Sequence, residues 1–239
     1  MKPWSYRPAR DHGLGYAERL RSPARESGFV GTLAHGFWRC AARLYFRLWH
    51  RLDVVGREHL PAAPPYLVIA NHTSHLDAPA IGCALPLRHA GRTHALAAGE
   101  VFFDSVAGAT VVASVLNAFP VWRGRTKRGE LTALRERLLE TRGIYVAFPE
   151  GTRSRDGRMQ AFKGGLGALV AGSPVPVVPC HIDGAFAALP PHRRWPRPGR
   201  ITLTFGPPLV FAELPNRLAG WRQVAERMDA AVRALASPR

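Results

Sequence analysis

Residues 66–77 carry the sequence YLVIANHTSHLD, an apolar run of five residues that ends in a polar segment. Tyr66–Ala70 is typical of a buried strand, and Asp77–Ala84 is typical of a helix. Further strand-type runs occur at Leu52–Val55, His94–Ala97, Ile144–Phe148, Val175–His181 and Ile201–Phe205. Further helix-type stretches occur at Val101–Leu116, Lys127–Thr141, Gly164–Ala171 and Trp221–Leu235. Strands that alternate with helices predict an α/β fold with a largely parallel sheet flanked by helices.

The first 50 residues are predicted to precede this domain (51–239) as a basic tail and an amphipathic helix. We expect residues 1–27, which are polar and rich in Arg and Pro, to be loose. Apolar residues recur at helical spacing after them, while three arginines four residues apart form a stripe on another face: Val30, Leu33, Phe37, Ala41, Leu44, Leu48; Arg39, Arg43, Arg47. Such a helix suits a membrane interface, which is our expectation. The pattern equally fits a helix packed on the domain with its arginines in water.

The charge balance predicts an anionic partner. The 239 residues include 33 Lys and Arg against 17 Asp and Glu, a formal net charge of +16, and only three of the basic residues are lysines. Arginine is the better bidentate binder of phosphate. A nucleic acid or an acidic membrane surface would fit this charge. Because the arginines are scattered and no nucleic-acid-binding motif occurs, we expect the membrane and no nucleic acid.

Composition narrows the class of protein further. A content of 46% hydrophobic and 21% charged residues is typical of a globular chain. The sequence contains no clean run of about 20 apolar residues, so we expect no membrane span. The N-terminus lacks the apolar core of a secretory signal. Cys40, Cys83 and Cys180 are far apart and lack metal-ligand spacing, so we predict reduced thiols. The sequence predicts neither a metal nor a cofactor.

His72 is the candidate general base. It follows the strand Tyr66–Ala70 at its carboxyl end, where ligands gather in open parallel sheets. Ser74 and Asp77 have capping-box spacing, which puts His72 just before a helix and Asp77 in its first turn. A carboxylate on one imidazole nitrogen leaves the other free to accept a proton. Taken alone, the pattern also fits an Asp77 that only caps and a His72 that bonds a backbone carbonyl. His75 is less well spaced from Asp77.

A second polar segment, residues 148–154 with the sequence FPEGTRS, follows the strand Ile144–Phe148 at the same kind of strand end. Gly151 allows a sharp turn and close approach to a ligand. Arg153 is suited to grip a phosphate through two parallel hydrogen bonds. Glu150 would orient Arg153 or bind a substrate hydroxyl. Taken alone, the segment fits a salt-bridged turn equally well.

These segments together resemble a known family. Residues 71–77 and 148–154 look like the first and third sequence blocks of the glycerolipid acyltransferases, specifically the 1-acylglycerol-3-phosphate (lysophosphatidic acid) acyltransferases. Residues 120–123 (PVWR) resemble the second block and residues 175–179 (VPVVP) the fourth. The four blocks occur in the family's order, and the resemblance covers about residues 52–212.

The resemblance implies an acyltransferase of phospholipid biosynthesis. It would move a fatty acyl group from acyl-CoA or acyl-acyl carrier protein (acyl-ACP) to the free hydroxyl of a lysophospholipid. His72 would act as the base and Asp77 would support it. Substrate binding would fall to five residues, namely Arg123, Glu150, Gly151, Thr152 and Arg153. The implied location is peripheral, on the cytoplasmic face of the inner (cell) membrane.

Two departures from the family pattern concern the acceptor. The family often has a lysine in an Ala-Lys-x-Glu-like stretch, where this chain has Ala97-Ala98-Gly99-Glu100, and Trp122 stands where a small or acidic residue is common. An acceptor such as a lyso-aminolipid is therefore an alternative. From another class, a non-catalytic basic protein that binds membranes or nucleic acid is a further alternative, although the intact His72–Asp77 pair argues against it.

Overall fold

The computed structural model describes residues 8–26, 28–122 and 128–236, and within them seven strands form one sheet. The strands are β1 (Asp53–Val55), β2 (Tyr66–Ala70), β3 (Thr93–Ala98), β4 (Phe119–Val121), β5 (Ile144–Ala147), β6 (Val177–Asp183) and β7 (Thr202–Phe205). Their order is β1-β7-β6-β2-β5-β3-β4, and β6 with β7 is the antiparallel pair. The predicted α/β fold with a largely parallel sheet is confirmed.

Helices cover both faces of this sheet. In the described ranges they are α1 (Tyr16–Arg21), α2 (Phe29–Trp49), α3 (Asp77–Ala84), α4 (Gly99–Phe102), α5 (Val106–Leu116), α6 (Arg128–Glu140), α7 (Gly167–Val170), α8 (Ala185–Ala188) and α9 (Leu218–Ala234). Short 3-10 turns occur at Arg57–His59, Leu87–Arg92 and Gly164–Leu166. None of these described helices has the length and hydropathy that crossing a membrane requires.

Strand β2 lies at the centre of the sheet and is buried along its whole length. Tyr66, Val68 and Ala70 pack into a cluster that includes residues of α2 and α3. Leu67 and Ile69 pack on the opposite face, into a cluster with residues of α6, α7 and α9. A parallel strand covered on both faces is expected to be apolar throughout, which accounts for the continuous YLVIA run.

Helix α2 turns its arginines toward the protein and its apolar face outward. Phe37 is 78% exposed, whereas Arg39 is only 4% exposed. Arg39 donates to the carbonyls of Gly82 and Leu85, and Arg43 donates through Nε to Cys83 O at 2.8 Å. These carbonyls belong to the end of α3, where a helix leaves acceptors unpaired. The alternative that places these arginines in water is therefore wrong for Arg39 and Arg43, because both bond the end of α3.

The N-terminal segment is more ordered than we expect from its composition. Its described part, residues 8–26, contains α1 and the buried Arg25. The guanidinium of Arg25 donates to Asn117 Oδ1 at 3.1 Å and to Ala118 O at 2.9 Å. Desolvation lowers the pKa of Arg25 to about 10. The prediction of a loose tail is wrong for these residues, because the segment contains a helix and Arg25 bonds the turn between α5 and β4.

Local signals explain two differences in element boundaries. The predicted helix Val101–Leu116 is divided into α4 and α5, because Ser105 Oγ accepts from Gly108 N at 3.1 Å and caps a new helix. Strand β4 has three residues and contains Pro120, which is too short a pattern to stand out. Its position beside β3 places it at the edge of the sheet.

Candidate active site

The carboxyl ends of β2 and β5 bring the two polar segments together. These strands are neighbours and run parallel, with Ile69 opposite Ala147. The backbone N–H of Ser154 donates to His72 O at 2.8 Å. The His72 ring stacks on the ring of Phe148, with 4.1 Å between ring centres. Two segments about 75 residues apart in sequence thus form one site at the edge where parallel sheets hold their ligands.

His72 and Asp77 are in direct contact. Nδ1 of His72 lies 2.8 Å from Oδ2 of the fully buried Asp77. Since a carboxylate accepts hydrogen bonds, His72 donates its Nδ1–H. In the neutral imidazole, Nε2 is then the nitrogen that can accept a proton, and the side chain is partly exposed. The pair has the geometry of a general base whose tautomer is fixed by a hydrogen bond to a carboxylate.

The same oxygen of Asp77 orders the loop before α3. Oδ2 accepts from the backbone N–H of Thr73 at 2.7 Å and of Ser74 at 2.8 Å. The capping-box prediction is therefore correct for Asp77 only. Ser74 Oγ instead donates to Leu189 O at 2.8 Å and accepts from Leu76 N at 3.1 Å. His72 is thus fixed by its ring contacts and by the loop on which it sits.

Glu150 joins the two segments. It is fully buried. Its Oε1 accepts from His72 N at 2.8 Å, and its Oε2 accepts from Gln160 N at 3.2 Å. Desolvation raises the pKa of Glu150 to about 7, although the two N–H donors act in the opposite direction. Both carboxylate oxygens bond backbone, so Glu150 holds the loops that carry the site.

The turn after Glu150 depends on a glycine. Gly151 has φ +73°, a conformation in which a side chain is strained. A Cβ at this position would also lie 3.1 Å from Nζ of Lys163, whose own backbone N–H donates to Pro149 O at 2.9 Å. Thr152 follows with an exposed side chain. Lys163 is a residue of this site that the motif spacing does not predict, although it begins a Lys-Gly-Gly run.

Arg153 is one of the cationic side chains of the site. It is half-buried, and its Nη1 is shielded from solvent without a hydrogen-bond partner among the described residues. Desolvation holds the pKa of Arg153 below its ordinary value, while the nearby Asp77 acts in the opposite direction. Arg153 lines an open cavity of about 690 Å³ together with the exposed Arg155 and Arg158. A half-buried guanidinium that lines a cavity is suited to an anionic ligand.

Two other sequence predictions have different outcomes. His75 is exposed and makes an edge contact with Phe102, with 6.4 Å between ring centres, whereas Asp77 bonds His72. Partial desolvation of the ring and the positive charge of Arg153 hold the pKa of His75 below its ordinary value. Arg123, which the family resemblance placed in the substrate site, lies outside the described residues.

The two departures from the family pattern are structurally coupled. Gly99 lies at the start of α4, and Trp122 directly follows β4. A Cβ on Gly99 would lie 2.5 Å from Cδ2 of Trp122. Residue 99 must therefore lack a side chain for the indole to occupy its place. Sequence inspection finds both residues but gives no sign of their contact.

Comparison with known proteins identifies the family. The family model described as Acyltransferase matches residues 51–183, more than half of the chain. The chain belongs to the acyltransferase family, as the four sequence blocks predict.

Individual relatives agree with this assignment. The chain is 33% identical over 134 residues to the 1-acyl-sn-glycerol-3-phosphate acyltransferase alpha of Homo sapiens, covering 54% of this chain and 44% of the human one. It is 28% identical over 214 residues to a 1-acyl-sn-glycerol-3-phosphate acyltransferase of Chlamydomonas reinhardtii, covering 87% and 57%. The chain thus spans about half the length of these relatives.

A solved structure has the same fold. It is that of the 1-acyl-sn-glycerophosphate (LPA) acyltransferase PlsC from Thermotoga maritima, with a TM-score of 0.61 and 24% sequence identity. The match covers 87% of this chain and 81% of that one. The shared α/β architecture extends well beyond the sequence blocks.

Proposed function

We propose that this protein transfers a fatty acyl group from an acyl thioester to the free hydroxyl of lysophosphatidic acid, which yields phosphatidic acid for phospholipid biosynthesis. The observation that carries the proposal is the 2.8 Å contact between His72 Nδ1 and Asp77 Oδ2, near Arg153, whose Nη1 has no hydrogen-bond partner in the described part of the chain. Relatives that carry the name 1-acyl-sn-glycerol-3-phosphate acyltransferase support the choice of acceptor.

The geometry supports direct transfer. Nε2 of His72 takes the proton of the acceptor hydroxyl while that oxygen attacks the thioester carbon. The carbon–sulfur bond then breaks, and the imidazolium returns the proton to the departing thiolate. Asp77 stabilises the imidazolium through the Nδ1–H hydrogen bond throughout. The thioester comes from acyl-CoA or acyl-ACP, and no cofactor takes part.

Arg153 binds the acceptor phosphate in this proposal. Its proximity to Asp77 puts the phosphate close to the dyad, and a guanidinium fork matches phosphate oxygens in two places at once. Arg123 is the second phosphate ligand that the family resemblance implies. Gly151 and Thr152 line the approach to Arg153. Glu150 positions both loops instead of contacting the substrate, because its two oxygens bond backbone N–H groups.

The Gly99–Trp122 contact supports a second candidate for the acceptor lipid. An indole packed on Gly99 gives this part of the chain an apolar surface near the position where the family often has a lysine. A lysolipid with a different head group, such as a lyso-aminolipid, is the alternative acceptor. Purified protein with acyl-CoA and acyl-ACP against a panel of lysolipids, with products identified by mass spectrometry, tests both. A preference for phosphate-free lysolipids would overturn the proposed acceptor.

We propose that the protein binds the cytoplasmic face of the inner membrane peripherally, and the outward face of helix α2 supports the membrane contact. Its outward face carries large exposed apolar residues, namely Phe29, Leu33, Phe37, Leu44 and Leu48. Because Ala42 and Phe46 pack in the core and Arg39 bonds α3, deletion of the helix would damage the domain. The sharper test is Phe37→Ser with Leu48→Ser, measured by vesicle co-sedimentation. Binding equal to that of wild type would contradict membrane contact through α2.

A further inference from the structure

The loop of residues 190–200, between α8 and β7, presents an aromatic side chain to solvent. Trp195 is 80% exposed, although tryptophan is highly buried on average. Arginines surround it at positions 193, 194, 197 and 200. We call this segment the Trp195 loop. The membrane part of the proposed function does not account for it.

The base of the Trp195 loop is fastened to the protein. Arg197 N donates to Ala188 O at 2.8 Å, and Ile201 N donates to His50 O at 3.0 Å. Prolines at 190, 191, 196 and 198 further restrict its backbone. The backbone of the Trp195 loop is therefore restrained by hydrogen bonds and prolines. The exposure of Trp195 does not result from a flexible chain.

Three of the four arginines of this loop form no ion pair with another described residue. Arg200 forms an ion pair with Asp53, with 3.1 Å between Nη2 and Oδ2. The side chains of Arg193, Arg194 and Arg197 form no ion pair with another described residue, and the latter two are exposed. An exposed indole among unpaired guanidinium groups matches the boundary between lipid head groups and acyl chains, where aromatic rings concentrate and arginine meets phosphate.

The position of the loop links it to both α2 and the dyad. Its base bonds the C-terminal end of α2, since Gly199 N donates to Trp49 O at 3.4 Å. At that end Leu48 and Trp49 are exposed and continue the outward apolar face of the helix. The carbonyl of Leu189, just before the Trp195 loop, accepts a hydrogen bond from the hydroxyl of Ser74, which lies on the loop that carries His72.

We infer that the Trp195 loop is a second membrane contact, in which Trp195 enters the interface of an anionic bilayer and Arg193, Arg194 and Arg197 bind lipid phosphates. This inference rests on the membrane part of the proposed function. Contact through both α2 and the Trp195 loop would fix the orientation of the domain on the bilayer. Contact through α2 alone would allow the domain to rotate about the helix axis. The dyad would then face the surface at which lysolipid arrives.

The test is binding of the full-length protein to vesicles of phosphatidylglycerol and phosphatidylcholine. Trp195→Ser is expected to lower the partition coefficient several-fold. Because the side chain is exposed, the melting temperature should stay unchanged. Leu218→Ser is the matched control. Leu218 is 59% exposed on α9, which packs on the face of the sheet opposite to α2. Brominated lipids should quench wild-type fluorescence more than that of Trp195→Phe. Equal binding and equal quenching would overturn the inference.

The arginines provide an independent arm. Arg194→Gln with Arg197→Gln is expected to reduce binding to anionic vesicles about fivefold per charge removed, and to affect phosphatidylcholine vesicles little. Arg222→Gln, an exposed arginine on α9, is the control. If the double variant binds vesicles normally but raises KM for acyl-ACP alone, the loop binds the carrier protein and the inference is wrong. If wild type binds no vesicles, the inference and the proposed membrane contact both fall, while the acyl-transfer proposal is judged separately by its products.

Discussion

The loops that follow β2 and β5 lie side by side, but they differ in how far hydrogen bonds within the protein fix their functional side chains. After β2, three hydrogen bonds converge on Oδ2 of Asp77, so that His72 and its loop are fixed without any ligand. After β5, Arg153 keeps a shielded Nη1 with no partner among the described residues. A proton-transferring group must be oriented before the reaction begins, whereas a binding group can take its partner from the substrate.

The largest effect is expected at the fixed side. His72→Ala should lower kcat by at least about 10²–10⁴-fold, because the acceptor hydroxyl loses its base. The KM of the donor should stay near the wild-type value, since the imidazole acts on the acceptor. Steady-state kinetics with both substrates varied, together with a melting curve, measure this. An active, folded His72→Ala would break the comparison by removing the chemical role of the β2 loop.

The next effect separates the two members of the dyad. Asp77→Asn should also lower kcat strongly, because an amide cannot stabilise the imidazolium as a carboxylate does. Since the residues act as a unit, the double variant should be little worse than His72→Ala alone. Effects that simply multiply would indicate that Asp77 shapes the loop and does not assist His72. Melting curves matter here, because Asp77 also binds two backbone N–H groups.

At the open side, Arg153→Ala should raise the KM of the acceptor about 10- to 100-fold, the loss expected for a charge-assisted hydrogen bond. The KM of the donor should change little. Arg153→Lys should restore part of the loss, because an ammonium keeps the charge but not the fork. Equal changes for both substrates in a folded variant would reassign Arg153 to a structural role.

Glu150, which joins the two sides, gives a dependence of stability on pH. Its pKa is raised from 4.5 to about 7, so between these values the folded state binds the proton more readily than the unfolded chain does. The stabilisation is present at low pH and is lost as pH rises through about 7. The melting temperature of wild type should therefore fall relative to that of Glu150→Gln from about pH 5 to about pH 8. A constant difference would mean that Glu150 is ionised throughout.

The smallest effect is expected at His75. His75→Ala should retain most of the activity, because Asp77 bonds His72 and His75 contacts Phe102 instead. His75→Ala also serves as a control for His72→Ala, since both remove an imidazole from the same loop. If His75→Ala is inactive and His72→Ala is active, the choice of base is wrong. If both are active, the proposed mechanism fails.

The site was more predictable from sequence than the elements around it. His72, Asp77 and the segment 148–154 lie in short blocks with fixed spacing, directly after apolar strands, so local signals suffice to bring them together. Gln160 and Lys163 complete the site through a backbone N–H and a long side chain. Neither kind of contact leaves a spacing pattern. The coupling of Gly99 to Trp122 joins residues on different elements and was equally invisible.

The sequence by itself determined the alternation of strands and helices, the buried character of an apolar β2, and the chemistry gathered at two strand ends. These follow from periodicity and residue type along the chain. Only the tertiary structure decided which way α2 faces. A helical pattern separates an apolar face from a basic one, but it does not say which face meets the protein. Here the carbonyls at the end of α3 needed donors, and Arg39 and Arg43 supplied them, so the apolar face was left outside.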